Sequence, residues 1–238
     1  MPFDAILFDK DGTLVDFDQT WGPAAHEVMM TLAAGNEAAF RRLAEVSGFN
    51  PRDKQFEPDS PFLTGALEIY GPLWAKALGR RDLMRLQEEI AGLFRITSLS
   101  SLTPIGQPSV LLQGLAVAGL RLGIVSNDSE ASVRLQAGML ELTEYLDFLA
   151  GHDSGFGAKP GPGMIVAFAG RFGIAPGRIA LVGDTMHDVM AARAAGAVSI
   201  GVLTGPAHHE DLAQHADYIL DCAGDLPAFL EDLGARAA

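Results

Sequence analysis

Two aspartates stand one residue apart in Phe8-Asp9-Lys10-Asp11-Gly12-Thr13-Leu14, close to the start of the chain. The run Asp4-Ala5-Ile6-Leu7-Phe8 ahead of them is largely apolar and of strand length, and Gly12 permits a turn that few other residues could make. Positions i and i+2 of an extended backbone point the same way, so Asp9 and Asp11 are expected to share a direction where a strand meets a loop. Two carboxylates that close repel each other unless a cation lies between them or one carries a proton. A divalent metal and an acid/base pair are built from such parts. An isolated Asp-x-Asp-Gly would serve equally well as an Asx-turn after an edge strand. Three further clusters favour chemistry: Ser126-Asn127-Asp128, Lys159-Pro160 and Gly183-Asp184-Thr185-Met186-His187-Asp188.

Positioning these clusters requires a scaffold, and the pattern from about Thr103 onward supplies one. Apolar runs at Arg121–Ser126, Tyr145–Ala150, Ile179–Gly183, Val198–Val202 and Tyr218–Leu220 read as strands. Helical stretches lie between and after them at Pro108–Ala118, Ser129–Leu140, Pro162–Phe172, His187–Ala195 and Leu226–Leu233. Continuous apolar strands separated by helices argue for a parallel sheet covered on both faces. In such sheets ligands bind outside the carboxyl ends of the strands, where the strand order reverses. The four clusters fall just after predicted strands or in an adjoining loop. Residues from Val15 to about Leu99 read differently, with helical spacing at Trp21–Ala34, Glu37–Val46, Gly65–Leu78 and Arg81–Phe94, and a polar loop over Asn50–Pro61. The expected fold class is α/β: a doubly wound, Rossmann-like parallel-sheet core (1–15 and 100–238) with an inserted all-helical domain (16–99).

The residue types suit phosphoryl transfer. A carboxylate can attack phosphorus and divide one hard step into two. A hard cation with oxygen ligands offsets the repulsion between that carboxylate and the phosphate, and Asp184 with Asp188 one helical turn later can complete its site. A lysine and a hydroxyl or amide can hold the other phosphate oxygens. A second carboxylate can protonate the leaving alcohol and then deprotonate water.

Asp-x-Asp-Gly-Thr, Ser-Asn, Lys-Pro, and Gly-Asp-x-x-x-Asp followed by Ala-Ala-x-x-Ala-Gly, in that order, resemble the haloacid dehalogenase-like superfamily. The phosphoglycolate-phosphatase-like branch, with a helical cap inserted after the first motif, is the most similar. The resemblance covers Met1 to about Val15 and about Thr103 to Leu220; the insert matches in position and helical character only. It implies a Mg²⁺-dependent phosphatase acting on a small phosphorylated metabolite. Asp9 would be the nucleophile and Asp11 the general acid/base, with the Asp11 backbone carbonyl on the metal. Thr13 would support the loop, and Ser126, Asn127 and Lys159 would bind the phosphoryl group. Metal ligation would fall to Asp9, Asp11 and Asp184, with Asp188 supporting through water. The superfamily's metal-free dehalogenases lack the second aspartate, so Asp11 argues against dehalogenation. Lys10 departs from the apolar residue often found between the two aspartates, and its side chain is expected to point away from the site. Trp21 and His26, on the first helix of the insert, are candidates for contact with the leaving group, or for ordinary packing.

Composition narrows the partners. The chain has 238 residues and a net charge of −13, which disfavours nucleic acid and anionic lipid. One cysteine, Cys222, excludes an internal disulfide and a multi-cysteine metal site and fits a reducing cytoplasm. No signal peptide and no membrane-spanning run is expected. His208-His209-Glu210 resembles part of a zinc helix, but Ala213 stands where its second histidine face would continue. Two other functions stay open on sequence alone: a phosphosugar mutase with the same aspartyl-phosphate chemistry, and a non-enzymatic binding protein.

Overall fold

The computed structural model describes residues 2–57, 59–64 and 67–236. The chain divides into two compact units, Met1–Asp16 with Pro104–Ala238, and Phe17–Thr103. In chain order the elements begin with β1 (Ala5–Phe8). The second unit follows, with α1 (Phe17–Ala33), α2 (Glu37–Val46), β2 (Phe49–Asn50), β3 (Gln55–Phe56), α3 (Pro61–Thr64), α4 (Leu67–Leu78) and α5 (Leu83–Ser100). The first unit resumes with α6 (Pro108–Val117), β4 (Arg121–Val125), α7 (Glu130–Met139), β5 (Phe148–Ala150), α8 (Gly163–Phe172) and β6 (Ile179–Gly183). It ends with α9 (Met186–Ala195), β7 (Val198–Val202), α10 (His209–Ala213), β8 (Tyr218–Leu220) and α11 (Leu226–Arg236).

Among the described residues the first unit carries a six-stranded sheet in the order β5-β4-β1-β6-β7-β8. Its pairings are parallel. The chain builds outward from β1 through β4 to β5, then returns to the other side of β1 for β6, β7 and β8. The order therefore reverses at β1 and β6, and Asp9 and Asp184 follow those two strands. Alternation along β1 explains the two cores. Ile6 and Phe8 join Leu122, Ile124, Val182 and Ile200 beneath Leu112, Val133 and Leu226 from α6, α7 and α11. Ala5 and Leu7 face the opposite way, with Leu181, Phe168 and Ala191 beneath α8 and α9. Successive strand residues point to opposite faces, so a strand covered by helices on both sides is apolar throughout, as β1 and β6 are.

The second unit has its own core, in which Trp74 is fully buried and Leu43, Leu86, Ile90 and Phe94 pack with it. Trp74 Nε1 donates to Ser47 Oγ at 2.8 Å, which satisfies the indole where water cannot reach it. Trp21 is 8% exposed and packs against Phe62 and Phe94, while His26 lies edge-on to Phe40. The stretch read as a loop over Asn50–Pro61 contains a hairpin. Its turn closes because Lys54 N–H donates to the Asn50 carbonyl and Asn50 Nδ2 donates to Asp53, so the polar residues are turn formers between two short strands. Gly65 and Ala66, in the stretch Gly65–Leu78 read as a helix, and Pro58, in the stretch read as a loop, lie outside the described residues. No described helix is long and apolar enough to cross a membrane.

Candidate active site

The site begins where β1 ends. Asp9 N–H still bonds the Val182 carbonyl of β6 at 2.8 Å, so Asp9 leaves the sheet in strand register. The chain then turns: the Lys10 carbonyl accepts from Thr13, Leu14 and Val15 N–H. Gly12 has φ +82°, and a Cβ there would overlap the Asp184 carboxylate. Glycine is thus required twice over, for the left-handed turn and for the close approach of backbone to carboxylate.

Lys159 reaches this corner from the loop before α8. Its Nζ lies 2.6 Å from Asp9 Oδ1 and 2.6 Å from Asp188 Oδ1, and all three groups are buried. Asn127 fixes the loop rather than the ligand side. Its Oδ1 accepts from Lys159 N–H at 2.8 Å and its Nδ2 donates to the Lys159 carbonyl at 2.9 Å, so the side-chain amide clasps both backbone groups of one residue. Ser126, also buried, accepts from Asp128 N–H through Oγ at 3.1 Å and keeps its own hydroxyl proton to donate. Asp188 is set at the start of α9 by its other oxygen, which accepts from Thr185 N–H at 3.1 Å and Thr185 Oγ1 at 2.7 Å. Thr13 Oγ1 donates to Asp184 Oδ1 at 3.1 Å.

Oxygens of Asp9, Asp184 and Asp188 all lie within 4.8 Å of one another. Three buried carboxylates against one ammonium leave an excess of negative charge. Burial, with the charges of Asp188 and Asp11, pushes Asp9 up to about 6 although Lys159 opposes the shift. Asp184 is raised well above its ordinary value by burial and by Asp9 and Asp188. Burial works against the charge on Lys159, but Asp188 and Asp9 outweigh it and hold the ammonium above its usual range. An all-oxygen donor set that is short of positive charge fits a hard divalent cation such as Mg²⁺.

Asp9, Asp184, Asp188 and Lys159 come together as one cluster; the Asp11 carboxylate is not part of it. Its two oxygens each lie 2.7 Å from Lys10 Nζ, and the metal contact expected of Asp11 involved its backbone carbonyl. The Lys10 side chain, 2% exposed, lies against α7 on the face of the sheet that Ile6 and Phe8 share, with its ammonium beside Asp11 and Gln136. His187 is exposed on α9.

Sequence reasoning passed over Thr204 and Gly205, just beyond β7. Thr204 Oγ1 donates to the Gly12 carbonyl at 2.6 Å, and a Cβ at Gly205 would overlap Asp184 Oδ2. Their position after a core strand was the available signal, although Thr-Gly carries no charge to draw attention to it.

Comparison with known proteins agrees with this geometry. The family profile described as haloacid dehalogenase-like hydrolase matches residues 3–196. A phosphoglycolate phosphatase of Photorhabdus laumondii is 30% identical over 226 residues, covering 93% of this chain and 90% of that protein. One from Nitrosospira multiformis is 28% identical, covering 97% and 94%. The crystal structure of a protein from Haemophilus somnus 129PT, titled a predicted phosphoglycolate phosphatase, superposes with a TM-score of 0.73. It shares 20% identity and covers 97% of this chain and 99% of its own.

Proposed function

The chain belongs to the haloacid dehalogenase-like hydrolase family, and from that premise we propose that it is a Mg²⁺-dependent, phosphoglycolate-phosphatase-like enzyme of the cytoplasm. Its substrate is a small phosphate monoester, hydrolysed through an aspartyl-phosphate. The observation that carries this reading is the buried cluster in which Lys159 pairs with Asp9 while Asp184 and Asp188 stand within reach of a common cation.

In the first step an Asp9 oxygen attacks phosphorus, and the bond from phosphorus to the ester oxygen breaks. The leaving oxygen keeps the electron pair and takes a proton from Asp11. In the second step Asp11, now a carboxylate, removes a proton from water as that water attacks phosphorus. Asp9 is released and inorganic phosphate forms. Lys159 offsets charge on Asp9 and on the transferring group, and the Ser126 hydroxyl and the Asn127–Lys159 loop hold the phosphoryl oxygens. Asp9, Asp184, Asp188 and the Asp11 carbonyl would hold Mg²⁺. Bound there, it would supply the positive charge that lets an anionic nucleophile approach an anionic ester.

A panel of phosphate esters assayed for free phosphate tests the proposal. We expect release with Mg²⁺, none with chelator, and none from Asp9→Asn under either condition. Undiminished turnover by Asp9→Asn would place the nucleophile elsewhere, and chelator-resistant hydrolysis would remove the metal. Phosphate that reappears on a different carbon of a sugar, with none released, would mark the mutase instead.

A further inference from the structure

Lys10 lies between the two catalytic candidates in sequence but belongs to a different set of contacts. Its ammonium is 2.7 Å from both oxygens of Asp11, 2.7 Å from Gln136 Oε1 and 3.3 Å from Asp128 Oδ2. Gln136 is fully buried on α7, where it brings an acceptor to a buried face shared with Ser132, Val133 and Ala137. Asp128 is fixed independently: its Oδ1 accepts from Ser129 N–H at 2.7 Å, and its carbonyl accepts from His152 N–H at 3.0 Å. Asp128 Oδ2 is buried without a hydrogen bond among the described residues, and the Lys10 ammonium is the cation beside it. Lys10 is therefore anchored from α7 and from the end of β4, and it presents its charge to Asp11.

Stability does not call for this arrangement. A buried network of charges is commonly matched or bettered by apolar side chains of similar volume. Its effect on Asp11 is specific, however. Both carboxylate oxygens touch one immobilised cation, which favours the orientation of Asp11 in which the two oxygens face Lys10. Each oxygen has a second lone-pair direction, and the Asp11 side chain is 18% exposed, so solvent reaches the carboxyl.

We propose that Lys10, held by Gln136 and Asp128, is a positioning residue that orients Asp11 for proton transfer to the leaving group. The inference rests on the reading of Asp11 as general acid/base. Lys10 keeps its own protons throughout; the proton that moves is the one Asp11 gives to the ester oxygen as its bond to phosphorus breaks.

The test compares benzyl phosphate, whose alkoxide needs that proton, with 4-nitrophenyl phosphate, whose phenolate leaves without it. The readout is kcat/KM, which reports events up to departure of the leaving group. Lys10→Met should lower kcat/KM for benzyl phosphate by about 10–100-fold and change it less than about threefold for 4-nitrophenyl phosphate. Asp11→Asn should show the same selectivity more strongly, and adding Lys10→Met to Asp11→Asn should cost nothing further, because the two act as one unit. Equal losses on both esters, or losses that multiply in the double variant, would overturn the positioning role. Absence of selectivity in Asp11→Asn itself would overturn the acid assignment, and the Lys10 inference with it. Should Lys10→Met fail to fold, Gln136→Leu, which keeps the ammonium but loosens its anchor, is measured on the same pair. A benzyl-selective loss supports the inference, and an equal loss overturns it.

Discussion

Asp9 is placed where its charge is hard to hold. Burial pushes its carboxyl up to about 6, from an ordinary aspartate value of 3.8, even with Lys159 in contact. A group whose pKa is higher folded than unfolded stabilises the fold fully below its unfolded value, and that contribution is lost as the pH rises through its folded value. For Asp9 the loss falls between about pH 4 and pH 6, and Asp184 shifts in the same direction. Metal-free wild-type protein should therefore lose more melting temperature between pH 5 and pH 7 than Asp9→Asn does, and Mg²⁺ added at pH 7 should restore the wild type alone. Parallel decreases in the two proteins would show that Asp9 does not titrate in this window. Single residues also show what was legible beforehand. Asp9, Lys159, Asp184 and Asp188 could be nominated from type and spacing, since each is a charged residue following a strand or standing in an adjoining loop. Lys10 continues the alternation of Ile6 and Phe8 onto the α7 face, but its contact with Asp11, its neighbour in sequence, comes from the turn after β1 and has no signature in spacing. The engagement of Asn127 with the Lys159 backbone links positions 32 apart and has no local signature.

At the scale of elements, Asp184 is held between two loops more than by β6 itself. The turn after β1 presses Gly12 against its carboxylate, the segment after β7 presses Gly205 against it, and Thr204 ties the two loops together. Gly205→Ala should push Asp184 aside and raise by about tenfold the Mg²⁺ concentration giving half-maximal thermal stabilisation, an effect of the size seen when ligand supports are disturbed. Gly170→Ala serves as control, because a Cβ there, on α8, meets nothing. An unchanged midpoint in Gly205→Ala would mean that Asp184 keeps its place without this backbone. The elements themselves were legible to different degrees, for identifiable reasons. Strands buried on both faces announce themselves as largely apolar runs, so β4, β6 and β7 are where that pattern puts them. The helix α5 runs on to Ser100, past the expected end at Phe94, because Ile96 is exposed and Ser98 buried, which erases the amphipathic pattern over its last turns. The strand expected from Tyr145 starts only at Phe148, since residues Thr143–Tyr145 form a 3₁₀ turn. The hairpin of β2 and β3 and the short α3 and α10 are too brief to set up a period.

Across the whole molecule, the sheet unit is interrupted once, and the interruption is closed locally. Val15 bridges Pro104, and Ile105 N–H donates to the Leu14 carbonyl at 2.9 Å, so the two ends of the break are already hydrogen-bonded to each other within that unit. Each unit also buries an apolar cluster of its own. The sheet unit does not depend on residues 17–103 for closure, and a short Gly/Ser linker from Asp16 to Pro104 spans a gap the structure itself keeps narrow. Such a protein should fold, as its length of roughly 150 residues permits. It should bind Mg²⁺ and release phosphate slowly from an aryl ester, because Asp9, Lys159, Asp184 and Asp188 are all in the sheet unit. The resemblance to family members with a helical cap predicts that the insert excludes water and contacts the leaving group. Without it, preference among natural esters should collapse toward uniform, low kcat/KM values. The measurement is kcat/KM across the ester panel for the full chain and the shortened one. A folded shortened protein that ranks the esters as the full chain does would assign selectivity to the sheet unit and leave the insert without that role.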